Sequence, residues 1–226
     1  MSRRRDACIY CGAPSDSRDH APPRLFLESP RPSNLRTVPA CRRCNQGASA
    51  DEEYVGALLA HTGTAQVLQD KVATGGVVDR ALLRSRKLAS RIEGASRVLD
   101  NGLPAIAPEP QPIHRVVRKI AHGLFVGRYG RNPGPKSFRS LGIYPYSIED
   151  QRPALVFAAT YSERFRPKRW QVIQKNVFAY IFVRHPRRAE SLLCVMDFHG
   201  GAWGIAECPT PTSGRPVAVA GQPCLL

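Results

Sequence analysis

Apolar residues recur at helical spacing most clearly over residues 113–126. They occupy positions i, i+3, i+4 and i+7, which predicts an amphipathic helix packed along one face. Its charged and polar positions are expected to lie off that core face, and these are Arg115, Arg118, Lys119 and His122.

Two further helices are predicted before it. Ser49 and Glu52 match a capping box, which predicts a helix over residues 50–60. Its apolar residues are expected to be buried, and these are Tyr54, Val55, Leu58 and Leu59. A second helix is expected over residues 78–99, where one apolar side is formed by Leu88, Ile92, Ala95 and Leu99.

The last third of the chain changes to the alternating pattern of β-strands. Strands are predicted at residues 154–159, 170–173, 177–184, 191–198 and 202–207. Turn residues separate the last three strands, which favours an antiparallel meander with helix 113–126 packed on one face. Residues 104–112 contain four prolines and therefore predict a linker before that helix.

The balance of charge indicates a polyanionic partner. The chain of 226 residues has a formal net charge of +15, which favours nucleic acid. The candidate contacts to nucleic acid are Arg42, Arg43, Arg80, Arg84, Lys87 and Arg91. The last four would share one stripe of the predicted helix 78–99, and a solvated basic face remains the alternative interpretation.

Four of the seven cysteines have the spacing of a metal site. Cys8 and Cys11 form one CxxC pair, and Cys41 and Cys44 form another. Two such pairs supply the four thiolates of a tetrahedral structural Zn²⁺, with an iron–sulfur cluster as the minor competitor. The other three cysteines are predicted to be isolated thiols. A reducing, cytoplasmic location without membrane insertion is expected.

Polar residues between and after the CxxC pairs suggest a second chemistry. Asp19-His20 and Asn34-Leu35 lie between the pairs, and Asn45 follows Cys44 directly. Carboxylate and carboxamide oxygens suit a hard divalent cation, and an imidazole of near-neutral pKa suits proton transfer. Over about residues 5–55, this order of motifs resembles the HNH endonucleases, a family of zinc-bearing ββα-metal nucleases.

The resemblance implies a metal-dependent endonuclease that hydrolyses phosphodiester bonds in DNA, with RNA left open. His20 would be the general base, oriented by Asn34, while Asp19 and Asn45 would hold Mg²⁺ or Mn²⁺. The Cys₄ zinc would frame this site, and cleavage of both strands would require a homodimer or a second visit. The alternative is a catalytically silent zinc-knuckle protein that binds nucleic acid by charge.

One departure from the family concerns the phosphate contact. Zinc-bearing members often carry a lysine, or another polar residue, two or three places after the CxxC-N asparagine, where this chain has Gln46-Gly47-Ala48. A basic contact is therefore expected from Arg42, Arg43 or the stripe 80–91. Taken together, the sequence predicts an α+β protein with an HNH zinc module (1–56), a basic helical region (57–103), a linker (104–112) and an α+β C-terminal domain (113–226) of unknown role.

Overall fold

The computed structural model describes residues 6–61, 82–98, 100, 104–145, 170–185 and 188–210. Helices and antiparallel strands are both present, so the α+β class is confirmed. Among the described helices, none combines the length and the apolar character needed to cross a bilayer.

The elements follow one another in a simple order. The N-terminal part contains β1 (Ser17–His20), a 3-10 turn (Arg24–Phe26), β2 (Thr37–Ala40) and α1 (Arg42–Gly47). The middle contains α2 (Ser49–His61), α3 (Arg86–Ala95), β3 (Ser96–Val98), β4 (Pro104–Ile106), α4 (Pro110–Tyr129) and a 3-10 turn (Pro135–Ser137). The C-terminal part contains β5 (Arg139–Pro145), β6 (Gln171–Gln174), β7 (Phe178–His185), β8 (Arg188–Phe198) and β9 (Ala202–Pro209).

The C-terminal strands form one antiparallel sheet in the order β5-β9-β8-β7-β6. Strands β6 to β9 are the meander that alternation predicted. Strand β5 was missed, and it pairs with β9 at the sheet edge. Its register shifts between Ser140 and Gly142, where Gly142 has a φ of 123°. A bulge of this kind interrupts the period-2 pattern that sequence reasoning relies on. The predicted strand 154–159 lies outside the described residues.

One large apolar core joins the helices to the sheet. Tyr54, Val55, Leu58 and Leu59 of α2 are all buried, as their spacing predicted. Helix α3 buries Leu88, Ile92 and Ala95, while Leu99 falls outside the described residues. Residues of the N-terminal part, Ala21, Phe26 and Leu27, belong to the same core. The N-terminal elements therefore share their packing with the rest of the molecule.

Helix α4 lies at the centre and is buried on two sides. It packs against the sheet at β5 and β9 and against β2 of the N-terminal hairpin. Lys119 and His122 were expected off the core face, but they are 2% and 1% exposed. That expectation was wrong because the side of α4 opposite the apolar stripe is covered by the hairpin. A Cβ added at Gly123 would lie 2.9 Å from the Ala21 Cβ, so helix and hairpin approach closely there.

The proline-rich segment 104–112 was predicted as a linker, yet it contains β4 and the first turn of α4. Proline is tolerated in a first helical turn because the amide hydrogen there has no intrahelical acceptor. The Glu109 backbone N–H donates to the Tyr54 hydroxyl at 2.9 Å. The proline content alone gave the wrong prediction, because the segment is ordered by contacts with residues outside it, such as Tyr54.

Candidate metal centre and the hairpin beside it

The four CxxC cysteines converge on one point. Their Sγ atoms all lie within 4.8 Å of one another, and Cys11 Sγ lies 3.7 Å from Cys41 Sγ. Ligands at about 2.3 Å from a tetrahedral ion are separated by about 3.8 Å. Cys8, Cys11 and Cys44 are buried, and Cys41 is half-buried. The cluster therefore fits a closed, structural metal ion.

Local folding brings each pair into place. In the first knuckle, the Cys8 amide donates to the Ala13 carbonyl at 2.7 Å, and the Gly12 amide donates to the Cys8 carbonyl at 2.8 Å. Gly12 has a φ of 78°, a left-handed conformation that favours glycine. In the second knuckle, Cys41 is the N-cap of α1 and its sulfur accepts from the Cys44 amide.

The thiols have unequal acidities in the absence of a metal. Hydrogen bonding from Cys44 lowers the pKa of Cys8 to about 5, with smaller help from backbone amides and against the effect of burial. Burial raises the pKa of Cys11 to about 11. A divalent ion would favour the thiolate form of all four, so metal binding and proton release are coupled.

The hairpin β1–β2 has one buried face and one open face. Residues opposite each other share a face, and the pairs include Asp19 with Val38 and His20 with Thr37. Asp19 and Val38 are buried, whereas His20 and Thr37 are partly exposed. Because consecutive strand residues point to opposite faces, the Asp19 side chain lies on the buried face and the His20 side chain lies on the open face.

On the buried face, Asp19 meets a lysine from α4. Lys119 Nζ lies 2.7 Å from Asp19 Oδ2 and 2.5 Å from Glu52 Oε1 of α2. The Tyr10 hydroxyl donates to the same Asp19 oxygen at 2.8 Å. The Lys119 side chain is 1% exposed, and those of Asp19 and Glu52 are 6% and 12% exposed. We call these four residues the Lys119 cluster.

The carboxylates of the Lys119 cluster keep the Lys119 ammonium at its centre protonated. Burial acts to lower the pKa of Lys119, but the carboxylates of Glu52 and Asp19 outweigh it, and the pKa is raised. Burial and the charge of Asp19 raise the pKa of Tyr10 well above its usual value, so Tyr10 remains a hydrogen-bond donor. Burial also raises the pKa of Glu52, with Lys119 opposing. Glu52 was predicted to cap α2, but its side chain contacts Lys119 instead.

On the open face, His20 lies in a basic environment. Partial burial and the cationic side chains of Arg24 and Arg31 lower the pKa of His20, against the opposing effect of Asp19. Arg24 and Arg31 are exposed. Arg18, on the same face, donates through Nε to the Thr37 hydroxyl at 2.7 Å. The imidazole is therefore neutral near pH 7 and stands among exposed cations.

The two motif asparagines lie in different settings. Asn45 docks α1 onto β1, because its Nδ2 donates to the Ser17 hydroxyl at 3.3 Å and to the Arg18 carbonyl at 3.2 Å. Asn34 is exposed in the loop before β2, and within the described residues no hydrogen bond joins it to His20. Asn45 thus contacts the strand that carries Asp19 and His20, whereas no hydrogen bond from Asn34 to that strand is seen within the described residues.

The predicted nucleic-acid contacts divide into two groups. Arg43, Arg84 and Lys87 are exposed, and so is Arg42, whose Nε lies 3.9 Å from Asp16 Oδ2. Arg91 is instead used within the fold. Its guanidinium lies 4.1 Å from the centre of the Tyr54 ring and makes two hydrogen bonds to the Glu109 carboxylate. Arg80 lies outside the described residues.

Cys194 and Cys208, expected as isolated thiols, lie near each other. They occupy diagonal positions on the adjacent strands β8 and β9. Burial raises the pKa of Cys194 well above its usual value, and the neighbouring thiol of Cys208 adds to that effect.

No family model, curated protein or solved structure matches the chain. The HNH resemblance is therefore carried by the motif residues alone, beside the geometry that surrounds them.

Sequence reasoning missed Tyr10, Glu52 and Lys119 as parts of the site. A signal was present for Lys119. Gly123 and Gly127 follow it at intervals of four on the same side of α4, and glycine inside a helix is unfavourable unless another element approaches closely. The Arg36 side chain does lie against Gly127. Such a glycine pair indicates a second packing face, which would bury Lys119 too.

Proposed function

We propose that this protein is an HNH-type endonuclease that hydrolyses phosphodiester bonds in DNA, with His20 as the general base and a structural Zn²⁺ on Cys8, Cys11, Cys41 and Cys44. The observation that carries the proposal is the presentation of a neutral imidazole on the open face of a hairpin whose base is held by four converging cysteines. RNA is the alternative substrate.

The arrangement around His20 supports the chemistry. A general base must be unprotonated at the working pH, and the lowered pKa of His20 meets that condition. The phosphodiester is anionic, so the attacking water needs nearby positive charge to approach it. Arg24 and Arg31 supply such charge beside the imidazole. We assign the phosphate contact to them rather than to Arg42 or Arg43, because Arg24 and Arg31 are the cations that act on the pKa of His20.

The resemblance also assigns Mg²⁺ or Mn²⁺ to Asp19 and Asn45. Such an ion, when bound, would neutralise the phosphate and stabilise the leaving oxygen. Asp19 does not fit it in its present arrangement, because Asp19 Oδ2 already contacts the Lys119 ammonium and the Tyr10 hydroxyl. The proposed reaction therefore assigns steps only to His20 and to the arginines, which contact the phosphate. His20 accepts a proton from water as the water oxygen bonds to phosphorus, the P–O bond to the leaving sugar oxygen breaks, and that oxygen takes a proton from solvent.

A second candidate function is favoured by that same contact. If the occupied Asp19 means that the module has lost catalysis, the protein would be a zinc-knuckle module that binds nucleic acid through its charge. The net charge of +15 supports binding under either proposal.

The first test is a plasmid assay. Purified protein is incubated with supercoiled plasmid in the presence of Mg²⁺, Mn²⁺ or EDTA, and nicked and linear products are separated on a gel. We expect nicking by the wild type and its loss in His20→Ala. His185→Ala, a histidine substitution in the C-terminal sheet, is the matched control and should cleave like the wild type.

The outcomes distinguish the two candidates. Nicking lost in His20→Ala alone supports the endonuclease, and the EDTA lane reports whether a divalent ion takes part. Plasmid that is retarded on the gel but never nicked, under all three conditions, would replace the endonuclease with the binding module.

A further inference from the structure

The Lys119 cluster contains a cation beside Asp19, one of the two residues to which the motif assigns a metal ion. The Lys119 ammonium contacts one oxygen of Asp19 and one of Glu52, both within 2.7 Å. Two carboxylate oxygens facing one point are a familiar beginning of a divalent metal site. Here that point is filled by a side chain of the protein itself.

We propose that Lys119 is the resident cation of this site: its ammonium pairs with Asp19, one of the two residues to which the HNH resemblance assigns a divalent ion, and excludes that ion from Asp19. The inference deepens the proposed function and rests on it only for where the ion is expected. It concerns metal binding and therefore does not depend on whether the protein cleaves DNA.

Burial and hydrogen bonding support the exclusion. Asp19 Oδ2 accepts from both Lys119 and Tyr10, and the Lys119 side chain is 1% exposed. A divalent ion at Asp19 would either face the ammonium at close range or push it out of its pair. A buried ammonium without its partner is strongly unfavourable, because desolvation is no longer offset by the carboxylates.

The cluster is also tied to three separate elements. Asp19 belongs to β1, Glu52 to α2 and Lys119 to α4, while Tyr10 comes from the first CxxC knuckle. Displacing the lysine would thus disturb the contact between the hairpin and both helices. The contact between Asp19 and Lys119 therefore holds β1, the strand that carries His20, on α4.

The experiment compares Mn²⁺ binding by zinc-loaded wild type, Asp19→Asn and Lys119→Met, measured by electron paramagnetic resonance titration. Methionine keeps the length of the lysine stem and removes the charge. We expect Asp19→Asn to bind Mn²⁺ like the wild type. We expect Lys119→Met to bind Mn²⁺ about tenfold more tightly or better, because two carboxylates are freed as ligands. Lys119→Met combined with Glu52→Gln should lose that gain.

The inference is overturned if wild-type protein binds Mn²⁺ at a site that Asp19→Asn removes. It is also overturned if folded Lys119→Met, checked by its zinc content and circular dichroism, gains no affinity for Mn²⁺.

A measurement on the wild type covers the case in which Lys119→Met does not fold. In protein labelled with ¹⁵N-lysine, a buried and paired ammonium exchanges its protons slowly and should give an observable signal. We expect that signal to persist in millimolar Mg²⁺. Its disappearance on adding Mg²⁺ would mean that the ion displaces Lys119, which overturns the inference. Plasmid cleavage can fail while these results hold, so the two proposals fail separately.

Discussion

At the scale of single residues, His122 shows how burial converts a polar side chain into a pH-dependent structural element. Burial lowers its pKa to about 4. Its ring stacks on Phe138 with centroids 4.3 Å apart, and its Nε2 lies 2.7 Å from Asn132 Oδ1. Asn132 in turn donates to the Ile9 carbonyl in the first knuckle at 3.1 Å. A neutral imidazole with hydrogen on Nε2 completes this chain of contacts.

We predict that the free energy of unfolding decreases as the pH falls below 6.5. Below that pH, His122 is protonated in the unfolded state, whereas in the folded state it stays neutral down to its pKa of about 4. Proton binding therefore favours the unfolded state. The loss from this residue should reach about 2 kcal/mol by about pH 5. Urea unfolding of wild type and His122→Gln at several pH values isolates it, because thiol protonation at the metal site affects both proteins. Equal pH dependence in the two would contradict the prediction.

At the residue scale, the sequence predicted correctly which residues come together where short, regular spacing along the chain links them. The four cysteines needed only their CxxC intervals, since short loops bring such pairs together. Lys119 and Glu52 are 67 residues apart, and no short motif contains both. Their contact with Asp19 depends on where α4 crosses the hairpin. The glycines of α4 indicate that a second element packs there, but they do not identify that element or the partners of Lys119.

At the scale of elements, the contact between α4 and the hairpin depends on the small residue at its centre. A Cβ at Gly123 would meet the Ala21 Cβ at 2.9 Å, and that atom is fixed to the backbone. We predict that Gly123→Val is destabilising by about 2 kcal/mol, because overpacking at a rigid contact separates the two elements. Gly94→Val in α3, where an added Cβ meets nothing within 4 Å, is the matched control and should change stability by less than about 0.5 kcal/mol.

Guanidinium denaturation monitored by circular dichroism compares these two variants. Equal midpoints for Gly123→Val and Gly94→Val would show that the hairpin tolerates displacement from α4. The zinc affinity of the same samples provides a second measurement. In Gly123→Val, displacement of α4 should also weaken the Lys119 contacts and lower the affinity for zinc.

Element-scale prediction was accurate for α2 and for strands in the meander. The helix predicted over residues 78–99 was drawn too long, because it ends at Ala95 and Ser96–Val98 form β3. Element-scale prediction missed the second buried face of α4. Hydrophobic periodicity identifies only apolar buried positions, whereas this second face consists of polar residues and glycine. It failed for β5 because a glycine bulge breaks the alternation. The prediction of a linker also failed for residues 104–106, which pair with β3 as a strand. This pairing depends on tertiary contacts, and the proline content of the segment does not reveal it.

At the scale of the whole molecule, the N-terminal part is bound to the C-terminal sheet as well as to α4. Gln174 of β6 donates through Nε2 to the carbonyls of Glu28 and Pro30, and its Oε1 accepts from the Glu28 amide at 2.8 Å. Phe26 also packs edge-on against Phe198 of β8, with centroids 5.4 Å apart. These contacts oppose independent unfolding of the metal-binding part.

We therefore predict that loss of zinc and unfolding of the sheet form a single transition. Both tryptophans of the chain, Trp170 and Trp203, lie in or beside the C-terminal sheet, so their fluorescence reports on that part. A chromogenic chelator reports zinc release during the same denaturant titration. The two curves should coincide for the wild type, because the shared core and the Gln174 contacts couple the two parts.

Cys44→Ser provides the sharper version of this test. Removing one thiolate weakens a site whose metal-binding free energy contributes directly to folding, so the fluorescence midpoint should fall as well. Cys224→Ser, which leaves both CxxC pairs intact, should keep the wild-type midpoint. If zinc is released from the wild type well before the tryptophan fluorescence changes, the metal centre stabilises only its own knuckles. The hairpin that carries His20 could then unfold while the sheet remains folded.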